Sequence, residues 1–510
     1  MRLDPSDPVG LACADLEAGA AVAFDDATVT VRDSVPRGHK LALMDMAAES
    51  VVRKYGQPIG LTTRDIRAGE HVHEHNLRSL TRAGASHAVD GAAGAGTAAN
   101  GNSVASAAAA EPVLQAASFD GIVRADGRVG TRNYVAILST VNCSATVVKR
   151  IAGAFSVPGA LEEYPGVDGV IAITHGTGCG LAADGEGLAQ LRRTLAGYAR
   201  HPNVGGVVLV GLGCEVNQIS ALTEDLGLMD PLVIQDLGGS AATVRRGVEQ
   251  VCELLPAIAC ERSPAPLSAL TLGLNCGGSD AWSGISANPV LGAAVDLLVA
   301  AGGTAVLAET PEIHGAEQLL TRRASPEVAR ALLERVAWWE RYAAAEGDSL
   351  DNNPSPGNRA GGITTIEEKA LGAVAKGGST PLRAVYRYAE PVTEHGLVFM
   401  DTPGYDPVSV TGIVAGGANI VCFTTGRGSV FGCRPAPSLK LASTSELYRR
   451  MVDDMDFDCG PVLDGRATVS ELGEALFHEI LATASGRLTK SEEFGFGDEE
   501  FVPWLLGAVL

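Results

Sequence analysis

The sequence predicts an α/β protein: a mainly parallel sheet covered by helices, preceded by a small all-β module. Three observations carry this. After Phe119, short near-continuous apolar runs end in glycine- and cysteine-bearing loops and pass into helical stretches, the pattern of parallel strands buried on both faces. Before residue 80, turn signals separate short β-rich runs. Between them, residues 83–117 carry almost no large apolar side chain, a composition that reads as a flexible linker. The expected division is 1–82, 83–117 and 118–510, the last with room for two lobes.

Composition narrows the function. A net charge of −21 disfavours a nucleic-acid partner and offers no polybasic membrane patch. No stretch is long and apolar enough to span a membrane, and the M-R-L-D-P-S-D-P start has no signal-peptide core, so a cytoplasmic location is expected. The ten cysteines should then stay reduced, as buried small residues or as ligands and catalysts.

In the N-terminal module, turns at Asp4-Pro5, Ala18-Gly19, Gly56-Gln57-Pro58 and Ala68-Gly69 bracket the strands. Its last strand contains His71, His73 and His75, which period-2 alternation puts on one face. Three imidazoles so placed suit a transition metal, or form a solvated polar strand end.

The larger region begins with a strand at 134–141 that runs into Cys143; 167–174 runs into His175 and Cys179, and 204–210 into Cys214 and Glu215. A short strand at 232–235 follows, and then 271–274 leads to Cys276-Gly277-Gly278. Four cysteines thus follow four apparent parallel strands, on the edge where such sheets bind ligands. They read as soft-metal ligands, iron or iron–sulfur, or as small residues in tight turns.

The loop after Cys276 gathers Ser279, Asp280, Ser283, Ser286 and Asn288, and is read as one wall of an active site. Asn288-Pro289 predicts a helix N-cap with proline at the first helical position, the helix ending at Gly302-Gly303. A strand at 304–308 then presents Glu309. Ser325-Pro326 caps a helix to about residue 342 whose Trp338 and Trp339 serve packing. A polar loop at 352–358 precedes a helix bearing Glu367, Glu368 and Lys369. Strands at 397–401 and 419–423 follow, the second entering Gly426-Arg427-Gly428, which suits an anion or is an ordinary surface turn. Neither G-x-G-x-x-G with a following acidic residue nor a G-K-[ST] loop appears, which argues against a nucleotide site.

Taken in order, G-H-K (38–40), K-Y-G-x-P-I-G (54–60), D-G-R-V-G-T-R-N (126–133), G-L-G-C-E (211–215), C-G-G-S-D (276–280), S-G-I-S-A-N-P, N-P-S-P-G-N (353–358) and T-T-G-R-G resemble the altronate and galactarate dehydratase family over nearly the whole chain outside the linker. The resemblance implies an SAF-type β-clip domain, a Rossmann-like catalytic region with a dimerisation part, and iron-dependent loss of water from a sugar acid. It also implies a homodimer or higher homo-oligomer, and Fe2+ or an iron–sulfur cluster as cofactor, another divalent metal being the alternative. The histidine triplet resembles the altronate enzymes more than the galactarate ones.

Dehydration of a 2,3-dihydroxy acid needs a base, a Lewis acid for the enediolate and an acid for the departing hydroxyl. His175, Glu215 and Glu309, each at a strand end, compete as base or acid, with Lys369 completing the catalytic set. Arg132 and Arg427, with Lys369, are the cations expected at the substrate carboxylate, Arg for its fork; Asn133, Ser279, Asp280 and Asn288 complete the binding set. Metal ligation is expected from Cys143, Cys179, Cys214 and Cys276, with His71, His73 and His75 as alternatives. The product expected from altronate or galactarate is a 2-keto-3-deoxy acid. A lyase removing another group from a small hydroxy acid, as in the sulfolactate enzymes, and a non-catalytic sugar-acid binding protein are the alternatives.

Overall fold

The computed structural model describes residues 1–24, 27–80 and 117–507. The expected linker at 83–117 therefore lies, except for its last residue, outside the described residues.

Antiparallel pairing builds the N-terminal module, as its turn-punctuated sequence requires. Val9–Leu11, Lys40–Ala42 and His71–Val72 form one sheet, Val51–Lys54, Gln57–Thr62 and Leu77–Arg78 another, and Ala21–Phe24 pairs with Ala27–Thr30. Between Val51–Lys54 and Gln57–Thr62 the chain reverses in two residues, Tyr55 and Gly56, at φ +61° and +67°. Positive φ at both positions matches the twist of a tight hairpin, and it sets Tyr55 at the tip.

The larger region is mainly parallel, as expected, and uses the room left for two lobes: it holds two wholly parallel sheets, one of four strands and one of seven, and a small antiparallel sheet of three. The first runs Gly169–Ile173, Tyr134–Ser139, Val204–Gly211, Leu232–Val233; the second runs Leu382–Tyr386, Gly396–Met400, Thr304–Leu307, Thr271–Cys276, Ile420–Thr425, Ser438–Ala442, Phe457–Asp458. What separates them is Ser263–Pro266, which pairs antiparallel with Ser118–Val123 and ends the first run of alternating strands and helices. Apolar side chains pack the larger sheet against the helix Ala287–Ala300, where Val290, Leu291, Val295 and Leu298 are fully buried.

That helix begins one residue before the expected cap. Ser286 stands at its start, with its hydroxyl donating to Trp282 O and Ser443 O, while Asn288 lies inside the helix, donating to Gly372 O and accepting from the Thr424 hydroxyl. Asn288 therefore ties the helix to two neighbours instead of capping it. The helix Pro326–Ala345 is capped by Ser325 as expected, and Trp339 stacks on Trp504 and donates to Asp401 at 2.8 Å. No helix among the described residues is long and apolar enough to cross a membrane.

Candidate active site

Parallel strands deliver their carboxyl ends to one edge of a sheet, and the larger sheet uses that edge to assemble a buried ionic group. Cys276 ends the strand Thr271–Cys276. Its neighbour Thr304–Leu307 leads into Glu309 and a 3-10 turn, Thr310–Ile313, that carries Glu312. The helix Ile366–Val374 supplies Lys369, and the turn Ala375–Gly377 after it supplies Lys376. Asp406 opens the helix that follows the strand Gly396–Met400.

Lys376 Nζ lies 2.9 Å from Cys276 Sγ and 2.8 Å from Glu309 Oε2. Cys276 Sγ is 3.2 Å from Glu312 Oε2 and 3.5 Å from Glu309 Oε2. Lys369 Nζ donates to Glu312 Oε1 and to Asn353 Oδ1, both at 2.6 Å. Glu309 holds φ at +68°, a left-handed conformation costly for a residue with a Cβ; Thr402, whose hydroxyl accepts from Glu309 N at 2.9 Å, helps hold it there.

Burial and like charge set the protonation of this group. Burial, with Glu312 adding to it, pushes the Glu309 carboxyl up to about 7 against the pull of Lys376. Glu312 goes the other way: burial alone would raise it, but Lys369 and Lys376 hold it below the ordinary carboxylate range. Half-buried Asp406 is pushed up to about 8 by desolvation and by Glu309 and Glu312, so it is mostly protonated at neutral pH. Lys376 stays cationic, since Cys276 and Glu309 outweigh the burial that would lower it. Two buried carboxyls of different proton affinity beside two ammoniums form an acid–base constellation.

Among the described residues, Cys276, Glu309 and Glu312 are the one trio that brings metal-type donor atoms within 4.8 Å of one another. A thiolate and two carboxylates are compatible with a divalent metal ion. Glu309 Oε1 and Asn275 Oδ1 are buried acceptors without a hydrogen-bond partner, which favours a cation there. Against it, Lys376 and Lys369 already neutralise the same two carboxylates.

A cavity of about 10 Å³ adjoins the group, lined in part by Ser279, Asp280, Asn288 and Lys369, and closed from the N-terminal module by Lys54 and Tyr55. Glu368, one residue from Lys369, receives Lys40 Nζ at 2.8 Å and Lys54 Nζ at 2.9 Å, all three side chains buried. Burial alone would raise the Glu368 carboxyl, but the two ammoniums hold it down to about 2. A second contact is made by histidines. His39 Nε2 meets Ala360 O at 3.3 Å and His73 Nε2 meets Arg359 O at 3.0 Å, so both rings must carry their proton on Nε2. His71 Nε2 then donates to His39 Nδ1 at 3.0 Å.

The expected site residues thus separate. Glu309, Lys369, Cys276, Ser279, Asp280 and Asn288 come together. Arg427 is exposed beside them, its backbone N–H bonded to Gly278 O at 2.9 Å. Arg132 does not join them. It is wholly buried elsewhere, with all five N–H donors engaged by Glu492, Thr131 O, Thr483 O and Arg487 O, so the fork expected to hold a substrate carboxylate is filled by the protein itself. Asn133 likewise donates to Gly166 O and Ile258 O.

His175 and Glu215 lie at the edge of the four-stranded sheet, each bonded inward. His175 Nε2 donates to Ser139 O at 3.0 Å and burial lowers the ring to about 4. Glu215 accepts from the Thr140 hydroxyl and Gly213 N, both at 2.6 Å. Cys143, Cys179 and Cys214 are exposed on that same smaller sheet, whereas Cys276 is buried on the larger one, so the four cysteines do not share an edge. The regular strand at the histidine triplet covers only His71–Val72, and His75 is exposed; burial lowers His71 to about 3 and His73 to about 4. Sequence reasoning missed Glu312, Lys376 and Asp406. The spacing E-T-P-E after a strand was a usable signal for the first; nothing local marks the other two.

Three family models cover the chain in order: the altronate/galactarate dehydratase SAF domain over residues 1–80, the D-galactarate dehydratase/altronate hydrolase second domain over 121–259, and the D-galactarate/altronate dehydratase C-terminal domain over 267–509. The altronate dehydratase of Escherichia coli K12 is 38% identical over 510 residues, 97% of each chain. That of Bacillus subtilis 168 is 33% identical over 502 residues, again 97% of each. The galactarate dehydratase (L-threo-forming) of Escherichia coli K12 is 34% identical over 514 residues, covering 98% of this chain and 95% of the relative. With an N-terminal SAF domain, a catalytic α/β region and full-length relatives of this kind, the chain belongs to the altronate and galactarate dehydratase family of hydro-lyases.

Proposed function

We propose that this chain removes water from an aldonate or aldarate, altronate or galactarate being the leading substrates, to give a 2-keto-3-deoxy acid. The observation that carries the reading is the buried cluster in which Lys376 Nζ lies 2.8 Å from Glu309 Oε2 and Lys369 Nζ 2.6 Å from Glu312 Oε1, where burial raises the Glu309 and Asp406 carboxyls. A carboxylate of that basicity suits removal of the weakly acidic proton next to the substrate carboxylate. Lys369 and Lys376 supply fixed positive charge for the carboxylate and for the negative charge that grows on it as the proton leaves, in a site with little water. Protonated Asp406 can donate to the departing hydroxyl. Ser279, Asn288 and Arg427 are the groups we assign to the remaining substrate oxygens. The cavity of about 10 Å³ holds roughly one water, so its walls, including Lys54 and Tyr55, must part to admit a sugar acid.

The unpartnered Glu309 Oε1 favours a second reading of the same atoms, in which Cys276, Glu309 and Glu312 hold a divalent metal, iron by the family resemblance. Such an ion would supply Lewis acidity toward the substrate carboxylate and its neighbouring hydroxyl. A homodimer is the assembly we propose, which light scattering of the purified chain checks.

The test is an anaerobic assay of the purified, iron-supplemented protein against a panel of aldonates and aldarates, with 2-keto acid detected directly. Formation of a 2-keto acid from altronate or galactarate is expected. Turnover of none of the panel would remove the dehydratase reading and promote sugar-acid binding without catalysis. Release of sulfite from sulfolactate in place of water from a sugar acid would promote the other lyase reading.

A further inference from the structure

We propose that Tyr55, at the tip of a hairpin in the N-terminal module, binds substrate in the cavity of the catalytic region, its hydroxyl donating to a hydroxyl oxygen of the sugar chain. The contact rests on the sugar-acid reading of this site and adds to it a donor from a second domain.

The hairpin between Val51–Lys54 and Gln57–Thr62 is built to hold this side chain in place. Tyr55 keeps φ at +61°, a conformation uncommon for a bulky residue. Buried Asp7 fixes the turn, accepting from Tyr55 N at 3.0 Å and from Gly56 N at 2.9 Å through its two carboxylate oxygens. Both flanks are fastened to the start of the helix Ile366–Val374. Lys54 Nζ donates to Glu368 at 2.9 Å, and Ile59 O accepts from the hydroxyl of Thr365, which caps that helix. Backbone strain that the surroundings hold from several sides clusters at functional segments.

Tyr55 is half-buried, and its phenol end reaches the catalytic region. A Cβ at Gly284 would lie 2.8 Å from the Tyr55 hydroxyl and 3.1 Å from Gly372 Cα, so glycine is what leaves a slot for the phenol there. Tyr55 lines the same cavity as Ser279 and Lys369. Lys369 also belongs to the buried ionic group, 2.6 Å from Glu312, so a ligand whose carboxylate meets Lys369 has Tyr55 in the same cavity. The space of about 10 Å³ matches one water-sized group, such as a single hydroxyl of a sugar chain.

Most charged groups on the cavity wall are already committed. Lys369 donates to Glu312 and Asn353 and Lys54 to Glu368, while Asp280 accepts from Ser283, Trp282 and Ser443. Tyr55 differs from these. The Lys54 ammonium, 4.9 Å from the ring centre, hydrogen-bonds the phenol oxygen, and among the described residues no protein acceptor takes the phenol proton. Burial raises the phenol above its ordinary value against the pull of Lys54, so it remains a donor at neutral pH. An ammonium on its oxygen strengthens the O–H as a donor. A neutral donor of this kind suits an uncharged oxygen of the chain, and leaves the carboxylate to the cations.

The experiment compares the wild type, Tyr55→Phe and Gly284→Ala as iron-supplemented full-length proteins with altronate and galactarate. Steady-state kinetics are read where turnover occurs, equilibrium dialysis of the same acids where it does not, and urea denaturation in every case. Tyr55→Phe keeps the ring and the turn and removes only the O–H. It should raise KM, or the dissociation constant, about tenfold. A contact made equally to substrate and transition state leaves kcat within about twofold. Gly284→Ala displaces the phenol from the other wall and should raise KM likewise, and the double variant should be no worse than the worse single one, since both remove one contact. A tyrosine with a structural role alone would lower the denaturation midpoint at unchanged KM, and a catalytic acid or base would lower kcat at unchanged KM. Either result would overturn the proposal, as would full additivity in the double variant or a wild type that binds neither acid. Weakened binding by Tyr55→Phe in a protein that dehydrates neither acid would uphold the contact and sink only the dehydratase reading.

Discussion

Replacing Glu368 by Gln tests whether the N-terminal module is a structural part of the active site. The glutamine keeps the shape of the side chain but leaves Lys40 and Lys54 as two buried ammoniums without a counter-charge. Holding this carboxyl near 2 where its ordinary value is 4.5 corresponds to about 3 kcal/mol of stability. Lys40 offsets part of this, since burial holds it down to about 8 even beside its partner. Breaking a buried pair from one side leaves the other charge uncompensated, which costs about 3–5 kcal/mol, so a loss of about 3 kcal/mol is expected. Urea denaturation followed by circular dichroism reads it. The sign with pH follows from a depressed carboxyl: the stabilisation is present above 4.5 and is lost as pH falls toward 2, where the wild type becomes protonated and resembles the glutamine variant. The difference between the two proteins should therefore shrink across that window. A loss below about 1 kcal/mol at pH 7, or one that does not change with pH, would refute the argument.

Two further outcomes bear on the site. Glu309→Gln should lower kcat by about 10²–10⁴-fold, and because a base must be deprotonated, wild-type turnover should rise with pH through about 7; an unchanged rate or a flat acid limb would remove Glu309 as base. Arg132→Lys retains at most three donors for the acceptors now served by five N–H groups, so it should cost about 3 kcal/mol of stability and leave KM unchanged. A raised KM at wild-type stability would return Arg132 to the substrate.

Which parts of this protein were legible in its sequence follows from the range of the interactions involved. Apolar runs ending in glycine- or cysteine-bearing loops located the strands Tyr134–Ser139, Val204–Gly211, Thr271–Cys276 and Ile420–Thr425 to within a few residues, because strand burial writes itself into consecutive side chains. Division into two sheets left no such trace, since a strand's own residues do not say which neighbour it pairs with. The strand end at Glu309 pointed to a carboxylate that the fold buries among ionic neighbours, but Lys376 and Asp406 lie 67 and 97 residues away in sequence, and only the fold joins them. Arg132 shows the converse error. A conspicuous R-N pair in a motif suggested anion binding, and the arginine instead crosslinks Thr131 to the turn that carries Arg487 and Glu492.

The buried group owes its chemistry to near-balance of charge. Two glutamates and two lysines cancel, so the site escapes the large penalty of an isolated buried ion, yet Glu309 and Glu312 stand on either side of one thiol and cannot both be as acidic as carboxyls in water. Lys369 serves Glu312 together with Asn353, whereas Lys376 divides its protons between Glu309 and Cys276. That unequal sharing is what leaves Glu309 the more basic of the two, and its left-handed backbone is part of how it is held beside Lys376. Lys54, at a strand end, and Tyr55, in the two-residue turn after it, reach the adjoining cavity from the N-terminal module, and the bond from Lys54 to Glu368 anchors that hairpin one residue from Lys369. The contact that docks the N-terminal module and the lysine that serves Glu312 thus stand on adjacent residues of one helix.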